Sequence, residues 1–94
     1  MERRKLEAEE IGKWLAERPA WGVQHGKLFR RFEFPDFSSS LDFVNEAGKI
    51  ADAADHHPDI RLGWGYAEFE ITTHDRGGIT PLDFDLAAKI DAIT

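Results

Sequence analysis

Three imidazoles stand in this sequence where they could move protons: His56 and His57, adjacent and directly before Pro58 in the stretch ADHHPD, and His74 in TTHDRGG. An imidazole with its ordinary pKa near 6.5 donates and accepts protons close to neutral pH, so two of them on opposite sides of one molecule supply both an acid and a base. Carboxylates surround the pair at Asp52, Asp55 and Asp59. Asp52 lies one helical turn before His56, which places it to orient that ring. Neighbouring side chains do not face each other on a helix and point to opposite sides of a strand, so the pair belongs at a junction between elements. Pro58 pushes His57 toward an extended backbone, and the two rings then diverge to line different walls of one cleft. Two uses stay open at this level: capping of a helix end, satisfied by local carbonyls and water, or acid–base chemistry. A metal site is the weakest reading, because adjacent histidines rarely share an ion and no zinc-like ligand spacing is present.

The remaining candidates are weighed the same way. His74 falls at a strand end, and the glycine pair after it lets the backbone pass close to a ligand. Asp83 comes three residues after Thr80, the spacing of a capping box. His25 sits in a hairpin turn and is expected in solvent.

The elements that must position these groups follow from periodicity. Ala8, Ile11, Trp14 and Leu15 recur at helical spacing, and the pattern predicts a first helix from Glu2 to about Glu17, closed at Arg18-Pro19. Trp21 to Val23 and Lys27 to Phe34 read as two strands joined through Gln24-His25-Gly26, with Arg30 snorkelling at a sheet edge. Asp36 or Ser38 caps a long helix with two apolar stripes, Phe37-Leu41-Val44-Gly48-Ala51 and Phe43-Ala47-Ile50-Ala54, which implies a helix laid across a sheet. Pro58 ends it. A short strand near Ile60 to Leu62, a tight turn at Gly63-Trp64-Gly65 and an alternating strand from Tyr66 to Thr73 come next. Thr80 and Pro81 then open a last helix with Leu82, Leu86, Ile90 and Ile93 buried. The order α-β-β-α-β-β-α describes one α+β domain over residues 1–94, a four-stranded antiparallel sheet with helices packed on one face.

Bulk composition narrows the partners. A net charge of −6 argues against a phosphate backbone as ligand, whose affinity rests on Lys and Arg. No cysteine is present, so disulfides, thiolate nucleophiles and Cys-ligated zinc are excluded. No apolar run approaches the ~20 residues that span a bilayer, and MERRKLEAEE lacks the apolar core of a signal peptide, so a cytoplasmic location is expected. At 94 residues the core is small, and a second subunit would bury more of it.

Taken together, Asp52, His56-His57-Pro58, Trp64, His74 and Asp83, with the gaps between them, resemble the signature of the pterin-4a-carbinolamine dehydratases. The likeness extends to Trp21, LFRRFEFPDF and the GGIT-x-x-D-x-x-LA close, and covers nearly all of the chain from about Trp14. Asp52 stands where a glutamate is frequent. The resemblance implies elimination of water from 4a-hydroxytetrahydropterin, the product of aromatic amino-acid hydroxylases, to quinonoid dihydropterin, with no cofactor and no metal. It implies His56 and His74 as acid–base groups, His57 as a binding and orienting residue, Asp52 as support for His56, Trp21 as a cleft wall, and Asp83 acting through placement of the last helix. It further implies a homodimer or a tetramer built from dimers, with an aromatic amino-acid hydroxylase as a metabolic partner. Members of the family in animals also serve as dimerisation cofactors of a homeodomain transcription factor. The alternatives to catalysis are therefore a protein-binding regulatory module or a pterin-binding module in molybdopterin metabolism.

Overall fold

The computed structural model describes residues 2–94. Its elements run α1 (Ala8–Ala16), β1 (Gly22–Gln24), β2 (Lys27–Glu33), α2 (Phe37–Ala54), β3 (Asp59–Gly63), β4 (Tyr66–Ile71), a single 3-10 turn (His74–Arg76) and α3 (Pro81–Asp91). The order is the expected one, and the four strands form an antiparallel sheet in the sequence β1-β2-β4-β3. Both hairpins are tight because their turn residues accept positive φ: His25 and Gly26 between β1 and β2, Gly65 between β3 and β4.

Alternation decides which face is covered. Leu28 and Phe32 on β2 pair with Ile71 and Ala67 on β4, and with Phe69 they lie against the helices, all nearly inaccessible. Phe43, Ala47 and Ala51 of α2 and Leu86, Ala87 and Ile90 of α3 close over them. Burying a ring such as Phe69 contributes about 2–3 kcal/mol relative to leaving it in water. Trp14 of α1 stacks on Phe84 of α3 with ring centroids 4.5 Å apart, which ties the first helix to the last. The opposite face is a charged lattice, in which Glu68 accepts hydrogen bonds from Arg31 at 2.9 Å and Arg61 at 3.1 Å.

Four expectations are corrected. Ile93, expected in the buried stripe of the last helix, is exposed because α3 stops at Asp91. The first helix starts at Ala8 instead of Glu2, because the Glu10 carboxylate takes the Glu7 N–H and both outer nitrogens of Arg4, and so fixes the first turn there. Residues 2–6 form no helix or strand and run as a strap. The first apolar stripe of α2 is only partly used: Phe37 is 44% and Leu41 38% exposed, since the sheet meets the row Ser40-Phe43-Ala47-Ala51. Arg30 stands on an interior strand, where its guanidinium lies over Phe32 and donates to Asp91 at 2.7 Å.

Candidate active site

Helix α2 sets the site by where it stops. Its last turn closes in the Schellman pattern, the His56 N–H donating to Ala51 O at 3.1 Å and the Asp55 N–H to Asp52 O at 3.1 Å, with Asp55 in the left-handed region at φ 51°. That single residue turns the chain out of the helix. His56 therefore points inward, with its side chain only 13% exposed, and His57 points outward.

Each ring meets a carboxylate, and the pairing differs from the expected one. His56 Nε2 lies 2.5 Å from Asp83 Oδ1, and His57 Nε2 lies 2.9 Å from Asp52 Oδ1. Asp52 thus orients His57 and does not support His56, because the turn at Asp55 breaks the helical relation that one-turn spacing assumes. Asp83 does what its spacing predicts and more. Its Oδ2 accepts the N–H of Thr80, the N-cap of α3, at 2.8 Å to complete a capping box, and it also accepts the Thr73 hydroxyl at 3.0 Å, while Oδ1 faces His56. Thr73 Oγ1 in turn lies 2.8 Å from Thr80 Oγ1, and the Leu82 N–H donates to that hydroxyl. Asp83 and Thr80 are fully buried and Thr73 nearly so. A buried carboxylate in an apolar domain is sustained only by such a complete set of donors.

His74 opens the 3-10 turn after β4, held by the Thr73–Gly78 bridge and by Gly77 at φ 69°. Among the described residues its ring has no hydrogen-bond partner. Together with Arg3, Asp55, Thr72, Thr73 and Asp75, the three histidines line one groove of about 330 Å³, at the small end of the range that holds small-molecule ligands. The structure thus brings His56, His57 and His74 to one place, with Asp83 beneath and Asp52 at the rim.

Trp21 is not among them. Its indole is 4% exposed, donates to Asp91 at 2.8 Å and sits edge-on to Trp14 and Phe32, so the ring belongs to the core and not to the wall of this groove. Thr73, Arg3 and Asp75 escaped the sequence reading. Thr73 was within reach of it, since it shares the parity of Ala67, Phe69 and Ile71 and so falls on the covered face. A second groove crosses the open sheet face between Gln24, Phe29, Ile60 and Glu70. It holds one imidazole, the exposed His25 at 3.4 Å from Glu70, its other carboxylates are engaged by Arg31, Arg61 and Lys27, and its lining offers no second imidazole.

An inward ring on a buried carboxylate is fixed in one tautomer. A carboxylate only accepts, so Nε2 of His56 carries the proton toward Asp83 and Nδ1 is left for exchange. Among the described residues no helix is long and apolar enough to cross a membrane, and no three His, Cys, Asp or Glu side chains gather as metal ligands.

Comparison with known proteins fits this arrangement. The family model described as Pterin 4 alpha carbinolamine dehydratase matches residues 4–93. A protein of Solibacter usitatus is 45% identical over 89 residues, 95% of this chain and 94% of its own, and one of Picosynechococcus sp. is 43% identical over 95% and 97%. Both bear the provisional name pterin-4-alpha-carbinolamine dehydratase. A crystal structure from Brucella melitensis, titled transcriptional coactivator/pterin dehydratase, superposes with a TM-score of 0.88 at 30% identity, covering 96% of this chain and 98% of that one. A pterin dehydratase-like protein described as a RuBisCO assembly factor in the alpha-carboxysome shares the fold, with a TM-score of 0.62 at 22% identity and coverage of 77% and 83%.

Proposed function

The chain belongs to the pterin-4-alpha-carbinolamine dehydratase family, and from that premise we propose that it eliminates water from 4a-hydroxytetrahydropterin to give quinonoid dihydropterin. The observation that carries this reading is the presence of His56 and His74 in the lining of one groove, one anchored to a buried carboxylate and the other without a hydrogen-bond partner among the described residues. The 4a-hydroxyl accepts a proton from one imidazole and leaves as water. The other imidazole takes the proton from the adjacent ring N–H, and that nitrogen's lone pair forms the new C=N bond. His56, with its tautomer set by Asp83, suits the accepting role at Nδ1, and His74 in its protonated form suits donation. His57, held at the rim by Asp52, grips the flat heterocycle. The product is the quinonoid dihydropterin, which a separate two-electron reduction returns to the tetrahydropterin that an aromatic amino-acid hydroxylase uses.

The test is to add the protein to freshly generated 4a-hydroxytetrahydropterin and follow quinonoid product by absorbance. His56→Ala and His74→Ala should each lower kcat by roughly 10- to 10³-fold with native circular dichroism. Wild-type kcat/KM in both variants would remove the histidines from the chemistry.

A non-catalytic, protein-binding role is the second reading, and the exposed Phe37 and Leu41 on α2 favour a partner on that helix. We assign the face to another copy of this chain, since covering it enlarges a small core. A solution mass near 10.7 kDa by light scattering at micromolar concentration would rule out self-association.

A further inference from the structure

The three histidines are not held alike. His56 and His57 each have a carboxylate, whereas among the described residues the His74 ring has no hydrogen-bond partner and depends on the short turn that carries it. That turn is gripped from outside. Arg3 Nη2 donates to both oxygens of Asp75, the residue after His74, at 2.6 Å. The grip is anchored in turn. Leu6, 8% exposed, is part of the core, its N–H donates to Ile79 O at 2.8 Å, and the Lys5 stem crosses Gly78 so closely that a Cβ there would stand 2.8 Å from Lys5 Cε. Arg4, on the other side of the strap, is fixed to Glu10 at the start of α1.

We infer that the strap from Arg3 to Leu6 is a positioning device for His74: by holding Asp75, Arg3 fixes the turn His74–Arg76 against the groove and supplies from outside the order that His74 lacks a carboxylate to provide. Arg3 itself lines the groove, so the strap forms part of its wall. The guanidinium holds the Asp75 carboxyl below its ordinary range, and the pair therefore stays ionised across the pH range in which an imidazole titrates. The strap remains engaged whatever the charge on His74. The inference rests on the proposed role of His74 in dehydration.

The test pairs kinetics with amide exchange. Arg3→Ala should lower kcat by about 2- to 5-fold, the range open to an exposed ion pair, with KM little changed. In a His74→Ala background the same substitution should cost nothing further, because the residue it positions is gone. The swap Arg3→Asp with Asp75→Arg should restore most of the loss. In the free protein, Arg3→Ala should quicken exchange of the amides from Asp75 to Gly77 and leave those of β4 and α3 untouched. Unchanged kcat/KM in an active protein overturns the inference, even if exchange quickens, as does an equal loss in the His74→Ala background. Should the wild-type protein dehydrate nothing, the functional reading falls by itself, and unchanged exchange at these amides would then overturn the strap independently.

Discussion

Two histidine–carboxylate pairs of the same chemistry stand side by side in this molecule and differ in almost everything else. In one, His56 and Asp83 are 13% and 0% exposed; in the other, His57 and Asp52 are 57% and 81% exposed. Partners in the first come from elements far apart in sequence, in the second from one helix end. The difference teaches where an ion pair has consequences. In the interior, removing one partner strands the other away from water at about 3–5 kcal/mol, whereas an exposed pair contributes between ~0 and 1 kcal/mol. The buried pair fixes a tautomer and holds two elements together. The exposed one only biases a rim side chain.

The comparison breaks most easily at Asp83. The amide introduced by Asp83→Asn keeps its carbonyl toward Thr73 and Thr80 and turns its NH₂ to His56, which reverses the tautomer. We expect kcat to fall by about 10²-fold or more. Asp83→Ala should in addition lower Tm by more than about 10 °C in thermal melts, through the lost pair and the lost cap. Wild-type turnover in Asp83→Asn would show that burial of this pair has no bearing on the chemistry.

At His57 the expected change moves to binding. His57→Ala should raise KM about 3- to 10-fold and leave kcat within about 2-fold, as for a group that holds ground state and transition state alike. A loss confined to kcat would place His57 among the proton-transfer groups and erase the contrast with His56.

The smallest effects belong to Asp52. Asp52→Asn should change kcat/KM by less than about 2-fold and Tm by no more than about 2 °C. Raising ionic strength from about 0.05 to 0.5 M should act on the wild type in the same mild way, through KM by screening the rim pair and through kcat by screening the exposed Arg3–Asp75 pair, while the interior pair is left intact. Parity between Asp52→Asn and Asp83→Asn in steady-state kinetics would sink the argument from burial.

Much of this was legible in the residues, and the failures have physical causes. The alternation Ala67-Phe69-Ile71, the Thr80-Pro81 opening and the length of α2 placed β4, α3 and the sheet correctly, because each signal is local. The convergence of three histidines followed from the family pattern. What could not be read was which acid meets which ring. Spacing assigns Asp52 to His56, yet one left-handed residue at Asp55 reverses the outcome, and nothing in its neighbours announces that conformation. Asp83 reaches His56 only through the packing of α3 on α2. The strap was hidden because Arg3, Arg4 and Lys5 are good helix formers, so propensity extends α1 over them until Glu10 decides otherwise. Trp21 misled for another reason: an indole fits a ligand wall and a core equally well, and Asp91 was there to take its N–H.

The threefold engagement of the Asp83 carboxylate also shapes how a descendant of this protein could abandon chemistry. A lineage that drifted toward binding alone would meet resistance at Asp83, Thr73 and Thr80, where a substitution unmakes a cap and an interior network together. His74 bears no such burden, since its ring is exposed and nothing in the described fold rests on it. Inactive members arising from this architecture should therefore lose the residue equivalent to His74 first and keep the buried His56–Asp83 pair as a relic, long after it has any proton to guide.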